Sequence, residues 1–117
     1  MTGSVHWLAE LTIKDGQFDN FKAVMKDMVE AVQTEAGTTH YEWFISDDLK
    51  TCHVYERYAD SAAVLTHSAS FGKFAERFLD AVAPTRVVVY GDPSAEVREG
   101  LKAFAPTYMA QIGGFAR

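Results

Sequence analysis

Residues 55–78, YERYADSAAVLTHSASFGKFAERF, set a carboxylate and an imidazole where a strand gives way to helices. Val54, Glu56 and Tyr58 share one face of the predicted strand, because side chains alternate with period two. Asp60 is placed to cap a short helix from about residue 61 to 67, and Ser70 to cap a second carrying Phe71, Phe74 and Phe78 at helical spacing. Glu56 on the sheet and His67 on the overlying helix can therefore meet inside an aromatic-lined pocket. An imidazole titrates near neutrality and can take a proton from a phenol or quinol. The Glu56 carboxylate would then hold its tautomer and stabilise the imidazolium. The competing reading is a helix histidine hydrogen-bonded for structural reasons, with Glu56 in an ion pair that Arg77 could complete.

Around this pair, Trp43, Tyr41, Trp7, Tyr58 and Phe74 are candidates to line a flat pocket, although such aromatic stripes also build ordinary cores. Tyr58 or Arg77 could donate to a substrate oxygen. Glu35 stands near a predicted helix C-terminus, where its charge opposes the helix dipole, so it calls for a tertiary partner. His40 and His53 fall on adjacent strands, and His6 on another. Two imidazoles without a third ligand at fixed spacing do not make a metal site, so none is expected. Cys52 has no adjacent base and reads as an inert thiol.

The elements that position these groups follow from hydrophobic period. Residues 5–13 alternate Val5, Trp7, Ala9, Leu11 and Ile13 against His6, Leu8, Glu10 and Thr12, which predicts a strand with one dry face and one mixed face. Phe18, Phe21, Val24, Met28 and Val32 recur every three to four residues, predicting an amphipathic helix that ends at Gly37. Residues 40–46 and 51–58 read as a hairpin, and residues 86–90 as a fourth strand, apolar on both faces. Helices can cover only one of those faces, so a second copy of the chain is expected over the other. Asp92-Pro93 opens a last short helix with proline at its first position, followed by a tail rich in large apolar groups: Phe104, Tyr108, Met109, Ile112 and Phe115.

Composition bounds the function. The 117 residues carry 48% hydrophobic and 23% charged side chains and a net charge of −5, with basic residues scattered. Phosphate neutralisation needs a basic patch, so nucleic acid is not an expected partner. No apolar run approaches the ~20 residues of a membrane helix, and the N-terminus lacks a basic leader, so a cytoplasmic protein is expected. Gly-rich phosphate loops, nucleophile elbows and zinc patterns are absent from the sequence, leaving no expected cofactor.

Glu35-Ala-Gly37 followed by Tyr41, then Tyr55-Glu56-Arg57-Tyr58-x-Asp60, then Ala63, His67, Phe71 and Phe74 resembles the antibiotic biosynthesis monooxygenase domain. The resemblance covers residues 5 to about 90 and implies a ferredoxin-like α+β fold: a four-stranded antiparallel sheet with helices on one face, paired as a dimeric α+β barrel. It implies one domain over 1–117, with a core at 5–90 and a C-terminal helix and arm at 92–117. Such proteins are associated with cofactor-independent oxygenation of quinols and polyphenols, haem breakdown, and isomerisation of small oxygenated molecules. Haem-degrading relatives use an Asn on the first strand, a Trp on the helix and a His ten residues later. The matching positions here are Ala9, His67 and Arg77, and a guanidinium cannot coordinate iron. The resemblance therefore implies a cofactor-free monooxygenase on a small electron-rich aromatic or quinol, with His67 as base and Glu56 as its orienter. A module that binds a hydrophobic metabolite unchanged, or an isomerase, is the alternative.

Overall fold

Residues 3–117 are described by a computed structural model. Its elements run β1 (Val5–Ile13), α1 (Phe18–Val32), β2 (Thr38–Ile45), β3 (Thr51–Tyr58), α2 (Ser61–Phe71), α3 (Ala75–Ala81), β4 (Val82–Tyr90), α4 (Ala95–Leu101), a 3₁₀ turn (Lys102–Phe104) and β5 (Thr107–Met109). The strands form one sheet in the order β2-β3-β1-β4-β5. The first four strands are antiparallel neighbours, as in a ferredoxin-like α+β unit. The fifth strand was not expected. β5 pairs parallel with β4 through only three residues, too few to show an alternation in the sequence.

The dry face of β1 is as the period-two pattern requires: Val5, Trp7, Leu11 and Ile13 are buried. Cys52, Val54, Glu56 and Tyr58 alternate inward along β3 in the same way. α1 buries Phe21, Val24 and Met28 against Leu11, Ile13, Cys52 and Val54, and Val32 is buried at its end. A second cluster sets Val64 of α2 and Val97 and Leu101 of α4 against Val5, Trp7, Val87 and Val89. Each such side chain contributes about 1.5–3 kcal/mol when fully withdrawn from water. All four helices thus serve one face of the sheet. On the opposite face His6 stacks on Tyr90 at 5.1 Å, and His53 approaches Glu10 at 3.3 Å.

Several local expectations are corrected. α1 stops at Val32, and Gly37 does not cap it: a Cβ built on Gly37 would lie 2.6 Å from the Ala63 Cβ. Glycine stands there because α2 crosses the start of β2 at that point. Ser70 lies inside α2, which runs on to Phe71, and α3 begins only at Ala75. Asp60 does cap α2, accepting from the Ala63 amide at 2.8 Å. β4 begins at Val82, earlier than expected, with Pro84 opposite Leu11 where the register with β1 shifts. Proline is tolerated there because the bulge already interrupts the ladder. Ser94 caps α4 through the Val97 amide at 3.2 Å, which leaves Pro93 just outside the helix.

Candidate active site

The register places three side chains in one row across the sheet. Glu56 on β3 lies between its cross-strand partners Trp7 on β1 and Tyr41 on β2, all on the helix-covered face. A carboxylate in that position needs donors, since an uncompensated buried charge is costly. It has them. Trp7 donates its indole N–H to Glu56 Oε2 at 2.8 Å, and the Tyr58 hydroxyl donates to Oε1 through a short hydrogen bond. Tyr58 is fully buried, and burial together with the adjacent carboxylate pushes its phenol well above the usual range, so it remains a donor.

His67 descends from α2 onto this row, 6% exposed, with the Tyr58 ring 5.2 Å and the Tyr41 ring 5.6 Å from its centre. Its two nitrogens have different partners. Nδ1 is hydrogen-bonded to Glu35 Oε1 at 3.0 Å, and Thr38 donates to that same oxygen at 2.9 Å. Nε2 lies 3.3 Å from Glu56 Oε1, the oxygen that also accepts from Tyr58. His67 thus contacts Glu56, as the sequence pattern suggested, and a second carboxylate, Glu35, as well. Glu35 finds the tertiary partner that its place after α1 called for. Burial alone would lower the His67 pKa, but the Glu56 and Glu35 carboxylates outweigh it and hold the pKa above 6.5.

These groups open onto a cavity of about 280 Å³. Trp7, Tyr41, Trp43, Glu56 and His67 line its polar end, and Met28, Phe71 and Phe78 its apolar wall. Gly100, Leu101 and Phe104, from α4 and the turn after it, close the side nearest β4. Of the predicted pocket residues, Trp7, Tyr41 and Trp43 line the cavity, while Tyr58 supports Glu56 from behind. Phe74 packs against the neighbouring core cluster and does not face the cavity. Arg77 is elsewhere: its guanidinium makes an exposed pair with Asp27 at 3.0 Å, so it does not serve as the substrate donor or as a partner of Glu56. Cys52 is buried, and burial pushes its thiol up to about 11, consistent with an inert group. Among the described residues no three His, Cys, Asp or Glu side chains gather as a metal site.

Residues 4–84 match the sequence model of the antibiotic biosynthesis monooxygenase family. The chain belongs to this family. No curated protein sequence matches it significantly. Among solved structures it is similar to MupZ from Pseudomonas fluorescens, with TM-score 0.89 and 19% identity over 100% of this chain and 91% of that one. It is also similar to SnoaB, a cofactor-independent oxygenase from Streptomyces nogalater, with TM-score 0.67 and 12% identity over 80% and 96% of the two chains. A conserved protein from Methanosarcina mazei gives 0.69 and 16% over 76% and 92%. At these identities the likeness shows a shared antibiotic biosynthesis monooxygenase fold. Of the three, MupZ is matched through the C-terminal segment as well.

Proposed function

We propose that the chain is a cofactor-independent monooxygenase acting on a small electron-rich phenol or quinol. The observation that carries this reading is the His67 geometry: Nδ1 is hydrogen-bonded to Glu35, Nε2 lies 3.3 Å from Glu56, and the residue lines a largely apolar cavity. That is the arrangement of a general base whose tautomer a carboxylate fixes. Family membership and the description of SnoaB as a cofactor-independent oxygenase support the reaction type.

In this mechanism the substrate hydroxyl gives its proton to Nε2. The phenolate delivers charge to an ortho or para ring carbon that bears hydrogen, which supplies electrons to dioxygen. One oxygen atom stays on that carbon as a quinone carbonyl. The other leaves as water, taking up the hydroxyl proton and the hydrogen of the ring carbon. The substrate supplies all four electrons, so the protein contributes a base, orientation and a dry wall.

The working assembly in this proposal is a homodimer joined through the sheet face that carries no helices, where His6, Tyr55 and Tyr90 cluster. Oxygen uptake over a panel of quinols and naphthols tests the function. The expected result is turnover that His67→Ala abolishes. Tight binding of the panel without uptake would instead establish a binding module, and a product formed without oxygen would establish an isomerase.

A further inference from the structure

Proton removal by His67 leaves an anion in a place that already holds two carboxylates. Glu35 and Glu56 flank the imidazole at 3.0 and 3.3 Å, so an oxyanion beside Nε2 needs donors that the resting protein does not use. The donors close to Glu56 are already spent. Trp7 and Tyr58 both serve that carboxylate, and Arg77 serves Asp27 at the surface. Two others are not. The indole Nε1 of Trp43 is buried without a hydrogen-bond partner among the described residues. An indole N–H can only donate, and a buried donor left unpaired costs about 1–3 kcal/mol, so the site carries a cost that an acceptor would relieve. The Tyr41 hydroxyl interacts with this N–H but completes no hydrogen bond of ordinary geometry with it.

Both side chains line the cavity, and both come from β2 two residues apart, so they present to the same face. The Tyr41 ring lies between the others, 5.7 Å from Trp43 and 5.6 Å from His67. We propose that Tyr41 and Trp43 form an oxyanion site that receives the substrate oxygen as His67 takes its proton. Burial and the Glu56 charge hold the Tyr41 phenol protonated, which suits it to donate.

The cavity also bounds the ligand. An apolar cavity of about 150 Å³ accommodates one benzene ring, so about 280 Å³ corresponds to one or two fused rings. The class selected is a mono- or bicyclic phenol whose oxygen is the point of recognition. This inference rests on the proton-removal reading above, and its test needs no oxygen.

The probe is 4-nitrophenol, whose phenolate absorbs in the visible, with nitrobenzene as the matched ligand that lacks the hydroxyl. Both are titrated without oxygen into wild type, Tyr41→Phe and Trp43→Phe, each checked by circular dichroism. The expected result is that wild type lowers the pKa of the bound phenol. Each substitution should weaken phenolate binding relative to phenol by about tenfold, as a hydrogen bond to a charged oxygen would, and leave nitrobenzene affinity unchanged. Equal losses for both ligands would show the two residues to be walls only. That result, an unshifted phenol in wild type, or no binding of either probe would overturn the proposal. If the phenolate is stabilised as expected but no quinol consumes oxygen, the oxyanion site stands and the monooxygenase reading fails.

Discussion

Glu35 Oε1 meets His67 Nδ1 at 3.0 Å across 32 positions of sequence, joining the end of the α1 connection to the middle of α2. This contact leaves Nε2 on the side of Glu56, 3.3 Å from its Oε1. It also sets the sign of the pH dependence, because the carboxylates favour the imidazolium while burial opposes it.

Glu35→Gln removes one of the two charges that raise the His67 pKa. The imidazole should then titrate at lower pH than in wild type, followed by NMR of the ring protons. If His67 is the base, wild-type activity should rise as pH passes upward through the raised pKa, and the variant's rise should begin at lower pH. An unmoved titration would show that Glu35 has no electrostatic hold on the ring.

The same shift has a consequence for stability. The folded pKa lies above 6.5, so the His67 contribution is fully present below about pH 6.5 and is lost as pH rises through the folded value. Urea unfolding of wild type should show this decline, and His67→Gln should flatten it.

Tyr58→Phe deletes the short hydrogen bond to Glu56 without changing the ring packing. A buried carboxylate short of a donor costs about 1–3 kcal/mol. Chemical denaturation should show a loss of that size. A neutral outcome would mean that Glu56 is compensated by other groups.

Gly37→Ala puts a methyl group 2.6 Å from the Ala63 Cβ, so α2 must lift from β2. The expected cost is about 1–3 kcal/mol, with weakened contact between His67 and Glu35. Ala63→Gly in the same chain should restore most of both. Failure of that rescue would place the strain elsewhere.

Removing residues 104–117 separates two roles of the C-terminal segment. Phe104 lines the cavity and β5 extends the sheet at β4, whereas Ile112 and Phe115 are 100% and 75% exposed. Ligand affinity should therefore fall in the truncated chain. Sedimentation of both forms reads the second role: a weaker dimer is expected if the exposed end reaches the partner subunit, and an unchanged dimer would confine the segment to the cavity.

The elements were legible where a period persisted. Nine alternating residues in β1 gave boundaries that the structure reproduces, and the amphipathic period of α1 gave its buried face though not its end. The meeting of Glu56 and His67 was legible for the same reason, since the strand alternation turned one inward and α2 crosses above it. Two kinds of feature escaped. Short pieces such as β5 lack enough residues to express a pattern, and the bulge around Pro84 hid the start of β4. The second carboxylate on the imidazole also escaped, because Glu35 reaches His67 across 32 positions that no local pattern connects. Arg77 was misplaced because its helical position was known only to within a turn, and its guanidinium finds Asp27 on α1 instead.

The cavity is walled from two stretches of the chain. Its polar end is built by residues 7–67, inside the segment that matches the family, while Gly100, Leu101 and Phe104 lie beyond residue 84. Changes in these last three would reshape the space offered to a ligand while leaving the imidazole and its carboxylates undisturbed. If residues 7–67 carry the proposed chemistry, exchanging the stretch after β4 is a direct way to change the ligand without rebuilding the imidazole and its carboxylates.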